Sequence, residues 1–290
     1  MRLPHCVLLA SALALSGCAH QPASPPAAPA AHAADDNLNA VLWMQASQEY
    51  RAASIQTWRA ALARLDAALA DPSWDALVPA ERAHPADGLP PAVIVDVDET
   101  VLDNSPYQAR LVLDGTSYDG ASWADWVDEA AARPVPGVLE FTRAATARGV
   151  TVFYVTNRTE AQQDISLANL RAAGLPVAGE HVFLGKGTEV PGCTQASDGD
   201  KQCRRQLVGR SHRVLMQFGD QLGDFVEVPD NTPAARDQLI DRHGAWFGER
   251  WWMLSNPSYG DWLPATFGND WGLPVPARRE AKRAALEPSR

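Results

Sequence analysis

Five short apolar runs punctuate the middle of the chain, and amphipathic stretches separate them. The first is Ala92-Val93-Ile94-Val95, with turn residues on both sides. A short continuous apolar run so bounded predicts a strand buried on both faces. The next runs cover 150–155, 181–184 and 213–218, and Trp251-Trp252-Met253-Leu254 is the fifth. Helical patterns over 136–148, 160–173, 201–210 and 232–243 lie between them. Strands alternating with helices predict an α/β fold, a mostly parallel sheet with helices on both faces. Ahead of the first strand, Leu42, Ala46, Tyr50, Ala53, Trp58 and Leu62 recur at helical steps. They predict one helix over about 38–69, stopped by Pro72 and Pro79. Segment 103–132 is too long for a simple crossover loop and carries Trp123 and Trp126. It is read as a small helical cap packed over the sheet, inside one domain spanning 37–272. The tail, 273–290, has Arg and Lys with little apolar content and is predicted to be loosely ordered.

The N-terminus belongs to targeting, not to the fold. Arg2 precedes an apolar stretch from Val7 to Leu15 that is too short to span a bilayer. It ends in Leu15-Ser16-Gly17-Cys18, which resembles a bacterial lipobox. By that resemblance 1–17 is a signal peptide and Cys18 is lipidated; an ordinary signal peptide is the alternative. Ala19 follows the cysteine, with no Asp to suggest inner-membrane retention. The implied location is the bacterial cell envelope, lipid-anchored at the outer membrane. Residues 18–36 are rich in Ala and Pro and read as a tether.

Composition narrows the functions. The chain has 290 residues, 46% of them apolar, enough for a sizeable core. A formal charge of −10 with no long basic run argues against a nucleic-acid polymer as partner. Small anionic substrates stay open, because one local basic pocket can oppose the global charge. Of four cysteines, Cys6 leaves with the signal and Cys18 is the anchor. Cys193 and Cys203 remain, ten positions apart, and in an oxidising compartment a disulfide is favoured over free thiols. Zinc is disfavoured, since no second Cys or close His pair accompanies them. Most of the ten tryptophans suit a core or a subunit interface, so a homo-oligomer is compatible with the sequence.

In open α/β sheets, ligands bind beyond the carboxyl ends of the strands. The first strand runs into Asp96-Val97-Asp98-Glu99-Thr100. Two carboxylates two positions apart share one side of an extended chain, and burying both calls for a cation. The alternative is a solvated acidic turn. The second strand runs into Thr156-Asn157-Arg158, where a hydroxyl and turning amides suit phosphate oxygens, or Thr156 simply caps the next helix. Lys201 opens a helical stretch. The fourth strand runs into Gly219-Asp220-Gln221-Leu222-Gly223-Asp224, and a helix from near Gln221 would put the two acids on one face.

The order of these pieces, DxDET, then T-N-R, then K, then GDxxxD, resembles the haloacid-dehalogenase (HAD) superfamily of phosphohydrolases. The runs 95–105 (VDVDETVLDNS), 153–158 (FYVTNR) and 256–260 (NPSYG), with Trp43-Met44-Gln45 and Glu49-Tyr50-Arg51, look like its class C acid phosphatases, bacterial surface lipoproteins that include 5′-nucleotidases. The resemblance implies a HAD-like Rossmannoid sheet with a cap and an Mg²⁺-dependent phosphomonoesterase acting on nucleoside 5′-monophosphates. It implies Asp96 as nucleophile and Asp98 as proton donor. Asp96, the Asp98 main-chain carbonyl, Asp220 and Asp224 would hold the metal. Thr156, Asn157 and Lys201 would hold the phosphoryl group. Arg158, Trp123 and Tyr259 would contact substrate, the two rings against its base. A dehalogenase is disfavoured because a halide needs no acid like Asp98. A non-catalytic lipoprotein that captures nucleotide or phosphate needs no nucleophile beside a proton donor. Two departures stand out: a long polar segment from Gly185 to Asp200, which loosens the placement of Lys201, and Gln217 in an otherwise apolar strand.

Overall fold

The computed structural model describes residues 35–289 apart from Ala196 and Asp198. The segment 1–17, Cys18 and nearly all of the tether lie outside the described residues. Two helices come first, α1 (Leu38–Ala46) and α2 (Gln48–Ala70), then the strand β1 (Pro91–Val95). The cap follows: β2 (Leu102–Asp103), α3 (Ser105–Asp114), α4 (Gly120–Asp128) and β3 (Arg133–Pro134). Next come α5 (Val138–Ala147), β4 (Thr151–Thr159), α6 (Gln163–Ala172), β5 (Phe183–Lys186), α7 (Gln202–Ser211) and β6 (Arg213–Gly219). The chain closes with α8 (Pro233–His243), β7 (Trp251–Met253), α9 (Trp262–Ala265) and α10 (Val275–Ala284).

The main sheet has five parallel strands in the order β5-β4-β1-β6-β7. β1 sits at the centre, with β4 on one side and β6 on the other. Chain connections leave in opposite directions at such a point, and the crevice beyond its strand ends is the natural ligand site. β1 and β6 are buried along nearly their whole length, as continuous apolar runs require. One packed aromatic cluster supports them. Trp58 of α2 stacks on Phe218 of β6 at 4.4 Å, and Phe141 of α5 tilts against both. A fully buried large side chain of this kind contributes roughly 1.5–3 kcal/mol.

The expected helix over 38–69 is two helices. Ser47 takes an extended backbone and caps the second, its hydroxyl accepting from the Tyr50 amide at 3.0 Å. Gln217, fully buried, donates to the Ala76 carbonyl at 2.7 Å, so a polar side chain sits in a central strand at the cost of one tied-down loop. Residues 102–134 form the helical cap, its base closed by antiparallel β2 and β3. The tail is more ordered than expected: after Pro274 it forms α10, whose Arg279 and Lys282 pair with Asp36. Pro at its start and good helix formers within it favour this without any apolar face. Of the C-terminal tryptophans, Trp251 and Trp252 are core, whereas Trp262 and Trp271 are exposed. Among the described residues, no helix is long and apolar enough to cross a membrane.

Candidate active site

Asp96 leaves β1 directly, its amide still bonded to the Phe218 carbonyl of β6 at 2.9 Å. Asp220 leaves β6 in the same way. The i, i+4 helix expected to bring Asp224 back is instead a single 3₁₀ turn over Leu222–Asp224, closed by Asp224 accepting from the Gln221 amide at 2.8 Å. Gly219 makes the approach possible, because a Cβ there would lie 2.3 Å from Asp224. Oxygens of Asp96, Asp220 and Asp224 thereby lie within 4.8 Å of one another.

Lys201 closes this group from the other side. Its ammonium is buried and donates to Asp96 at 2.5 Å and Asp224 at 2.6 Å. Two anchors hold the start of α7, where it sits. One is the disulfide between Cys193 and Cys203, which ties the long polar loop to the helix. The other is the buried pair of Arg205 with Glu81, at 2.6 and 2.8 Å.

The electrostatics are those of an acidic pocket. Burial, opposed by Lys201 and reinforced by Asp224 and Asp98, pushes the Asp96 carboxyl up to about 7. Burial and the charges of Asp224 and Asp96 push Asp220 well above the usual carboxylate range. For Lys201, the charges of Asp224 and Asp96 outweigh burial and raise it. When all are ionised, three carboxylates against one ammonium leave two uncompensated negative charges. Oxygen-only donors with that surplus fit a hard divalent cation such as magnesium. The Asp98 carboxylate is not part of this group.

Asp98 turns aside. Its Oδ1 accepts from Arg158 Nη2 (2.8 Å), Arg158 Nε (3.0 Å) and Asn104 Nδ2 (2.9 Å). Arg158 is only 1% exposed and its remaining nitrogen bonds Ser166. Its guanidinium is thus engaged by Asp98, Asn104 and Ser166. Its place in the strand explains why: β4 continues through Thr159, so Thr156 and Arg158 point inward and Asn157 outward. The helix cap is also not Thr156. Thr159 caps the next turn in a reciprocal pair with Gln162. The Thr156 hydroxyl accepts from the Arg158 amide at 3.0 Å, which leaves its O–H as a donor. Arg204, wholly buried, braces this turn through the Thr156 carbonyl and the Asn157 side chain.

Several side chains of the quoted motifs, with Gln221, have partners that the sequence did not announce. Thr100 donates to Asp96 at 3.1 Å. Gln221 and Asn256 donate to Asp220 at 2.7 and 2.8 Å. Glu99 is buried at φ +61°, accepting from the Asn104 amide at 2.7 Å and from the Tyr259 phenol. Burial and then Asp98 push its carboxyl well up. Tyr259 is therefore fixed by its hydroxyl. Trp123 is fixed by the edge of Tyr107 at 5.2 Å and lies 5.7 Å from the Arg158 guanidinium.

A parallel sheet whose central strand ends in a lysine-paired carboxylate, beside two further acids, defines an α/β protein with a buried acidic site at the carboxyl ends of its strands. Comparison with known proteins narrows this. Residues 19–262 match the family described as HAD superfamily, subfamily IIIB (acid phosphatase), and the chain belongs to that family. The class C acid phosphatase of Bacillus anthracis is similar at 31% identity and a TM-score of 0.75, over 88% of this chain and 98% of that one. A second structure of that enzyme, with tungstate bound, gives 31% and 0.74 over the same shares. Acid phosphatase 1 of Solanum lycopersicum is 28% identical over 133 residues, 46% of this chain and 51% of that protein. Vegetative storage protein 2 of Arabidopsis thaliana is 26% identical over 136 residues, 46% and 49%. The chain thus spans about half the length of the curated relatives it matches.

Proposed function

We propose that this protein is a magnesium-dependent phosphatase that hydrolyses phosphomonoesters through an aspartyl-phosphate, held at the cell envelope by lipid on Cys18. The observation that carries the chemistry is Asp96: a buried carboxylate at the end of the central strand, oriented by Thr100 and Lys201. One oxygen of this carboxylate forms the bond to phosphorus while the ester P–O bond breaks. The departing oxygen takes a proton from Asp98. Water then attacks phosphorus, its proton passes to Asp98, and the Asp96–phosphorus bond breaks. The products are the alcohol and inorganic phosphate. Thr156, the Asn157 amide and Lys201 hold the phosphoryl oxygens and offset their charge. Asp96, Asp220, Asp224 and the Asp98 carbonyl would hold magnesium, which supplies positive charge to the phosphoryl oxygens and the nucleophile.

The substrate class follows from where the leaving group must sit. Asp98 gives it a proton, so it lies beside Asp98. Trp123 lies 5.7 Å from Arg158, which bonds Asp98, and the Tyr259 hydroxyl donates to Glu99, the next residue. Both rings are half-buried and fixed, which lowers the entropy lost on stacking. An aromatic leaving group, such as a nucleoside, is thereby favoured. The test is hydrolysis of 4-nitrophenyl phosphate by the full chain in detergent. Exhaustive chelation abolishes turnover and magnesium restores it; turnover that survives chelation overturns the metal assignment.

A further inference from the structure

We propose that Arg158 and Asn104 form a clamp that saturates one oxygen of Asp98 and so dictates which oxygen exchanges the proton, and in which direction. This rests on the reading of Asp98 as proton donor given above and deepens it.

The argument is a count of donors. Oδ1 of Asp98 receives three N–H bonds, all between 2.8 and 3.0 Å. Oδ2 receives one longer contact, from Arg158 Nε at 3.3 Å. A carboxylate oxygen has two lone pairs in its plane, and three donors leave no room for a proton there. A proton on Oδ1 would face three N–H groups head-on. Oδ2 is the oxygen left to carry and release it. Fixing Oδ1 also fixes the plane of the carboxyl, and with it the line along which Oδ2 reaches the ester oxygen.

The clamp is held as firmly as its parts require. All three guanidinium nitrogens of Arg158 are used, on Asp98, Asn104 and Ser166, and the ring of Trp123 lies against the group. The Asn104 amide cannot flip without loss, because its oxygen accepts from Trp126 Nε1 at 2.8 Å. Its nitrogen also reaches Glu99 at 3.3 Å. Trp126 and Trp123 both belong to α4, so the cap, through these two contacts, sets the aim of a side chain on β1's exit. Arg158 and Asn104 are positioning residues: they act through Asp98 and touch no reacting atom.

A buried ion pair can be purely structural, so the test reads something stability does not move. Good leaving groups depart without a proton and poor ones need it. The readout is the ratio of kcat/KM for 4-nitrophenyl phosphate to that for phenyl phosphate, two substrates of similar shape. It is measured on the magnesium-loaded full chain. Asp98→Asn raises the ratio, since only the poor leaving group loses its donor. Arg158→Met raises it in the same direction, about tenfold, because a misaimed acid forfeits part of a contribution of roughly 10²–10⁴. Arg158→Lys, which keeps the charge and one bond, falls between. Where Arg158→Met does not fold, the Lys variant alone decides by the same criterion. Arg158 variants with the wild-type ratio, whatever their absolute rates, overturn the clamp while leaving Asp98 in place. An Asp98→Asn protein with the wild-type ratio removes Asp98 as donor, and the clamp with it.

Discussion

Asp220→Asn should make the metal-free protein more stable while removing its response to magnesium. Among the described residues, Lys201 reaches Asp96 and Asp224, while Asp220 accepts from the amides of Gln221 and Asn256. With its oxygens within 4.8 Å of the other two carboxylates, each repulsion is about 3.5 kcal/mol at an effective dielectric of about 20. Protonation relieves part of it, and the variant should recover roughly 1–3 kcal/mol. For a domain this size that is a melting-temperature gain of about 2–10 °C. The sign depends on pH. Burial and the neighbouring carboxylates raise the folded Asp220 carboxyl above its unfolded value, so its contribution is intact below the ordinary carboxylate range and is lost as pH rises. The gain from the substitution is therefore absent near pH 4 and grows toward pH 8. The assay is calorimetric unfolding in EDTA across that range, repeated with excess magnesium. Magnesium at a hundred times its dissociation constant stabilises wild type by about 2.7 kcal/mol. The variant lacks one ligand and gains less, so the order of the two proteins narrows or reverses. A variant less stable than wild type in EDTA at pH 8 would refute the reasoning, because then the three acids do not repel.

Asp96→Asn should fold, with unchanged far-UV circular dichroism, yet show no turnover above background, because an amide does not attack phosphorus. Replacing Cys193 and Cys203 together by Ser should lower stability by roughly 2–3 kcal/mol, the chain-entropy value for so short a loop; it should also weaken the grip of Lys201, seen as a raised phosphate inhibition constant. Trp123→Ala should raise KM for a nucleoside 5′-monophosphate about ten- to a hundredfold but not for ribose 5-phosphate, since base stacking is worth roughly 1–3 kcal/mol. An equal change on both substrates returns Trp123 to a packing role.

The acids of the site were legible because each follows an apolar run without an intervening loop. A buried parallel strand cannot end anywhere but at the crevice, so Asp96 and Asp220 are placed by the strands themselves. Lys201 was legible only by its order in a known pattern. The disulfide and the pair of Arg205 with Glu81 put it in place, and no local signal announces an ion pair spanning 124 positions. Glu99 illustrates a harder limit. In a run of acids, nothing local says which one turns inward, and a glutamate at φ +61° contradicts its own backbone preference. It is held there by Asn104 and Tyr259, which are five and 160 positions away.

The inward position of Arg158 has a different cause, and that cause is in the sequence. The second apolar run ends at Val155, so Thr156-Asn157-Arg158 reads as a hydroxyl followed by turning amides that suit phosphate oxygens, or as a helix cap. The backbone instead stays extended through Thr159, where Thr159 and Gln162 complete a reciprocal cap. A Thr three residues before a Gln is a recognisable helix start, and it places the strand's end four residues later than the apolar run does. With that boundary, the period of two decides the rest: Thr156 inward, Asn157 outward, Arg158 inward. An arginine pointing into the interior beside an acidic strand end needs a carboxylate, and Asp98 is the acid nearest to hand that the metal group does not claim. The position of one helix cap thus decides whether Arg158 faces the crevice or the Asp98 carboxylate.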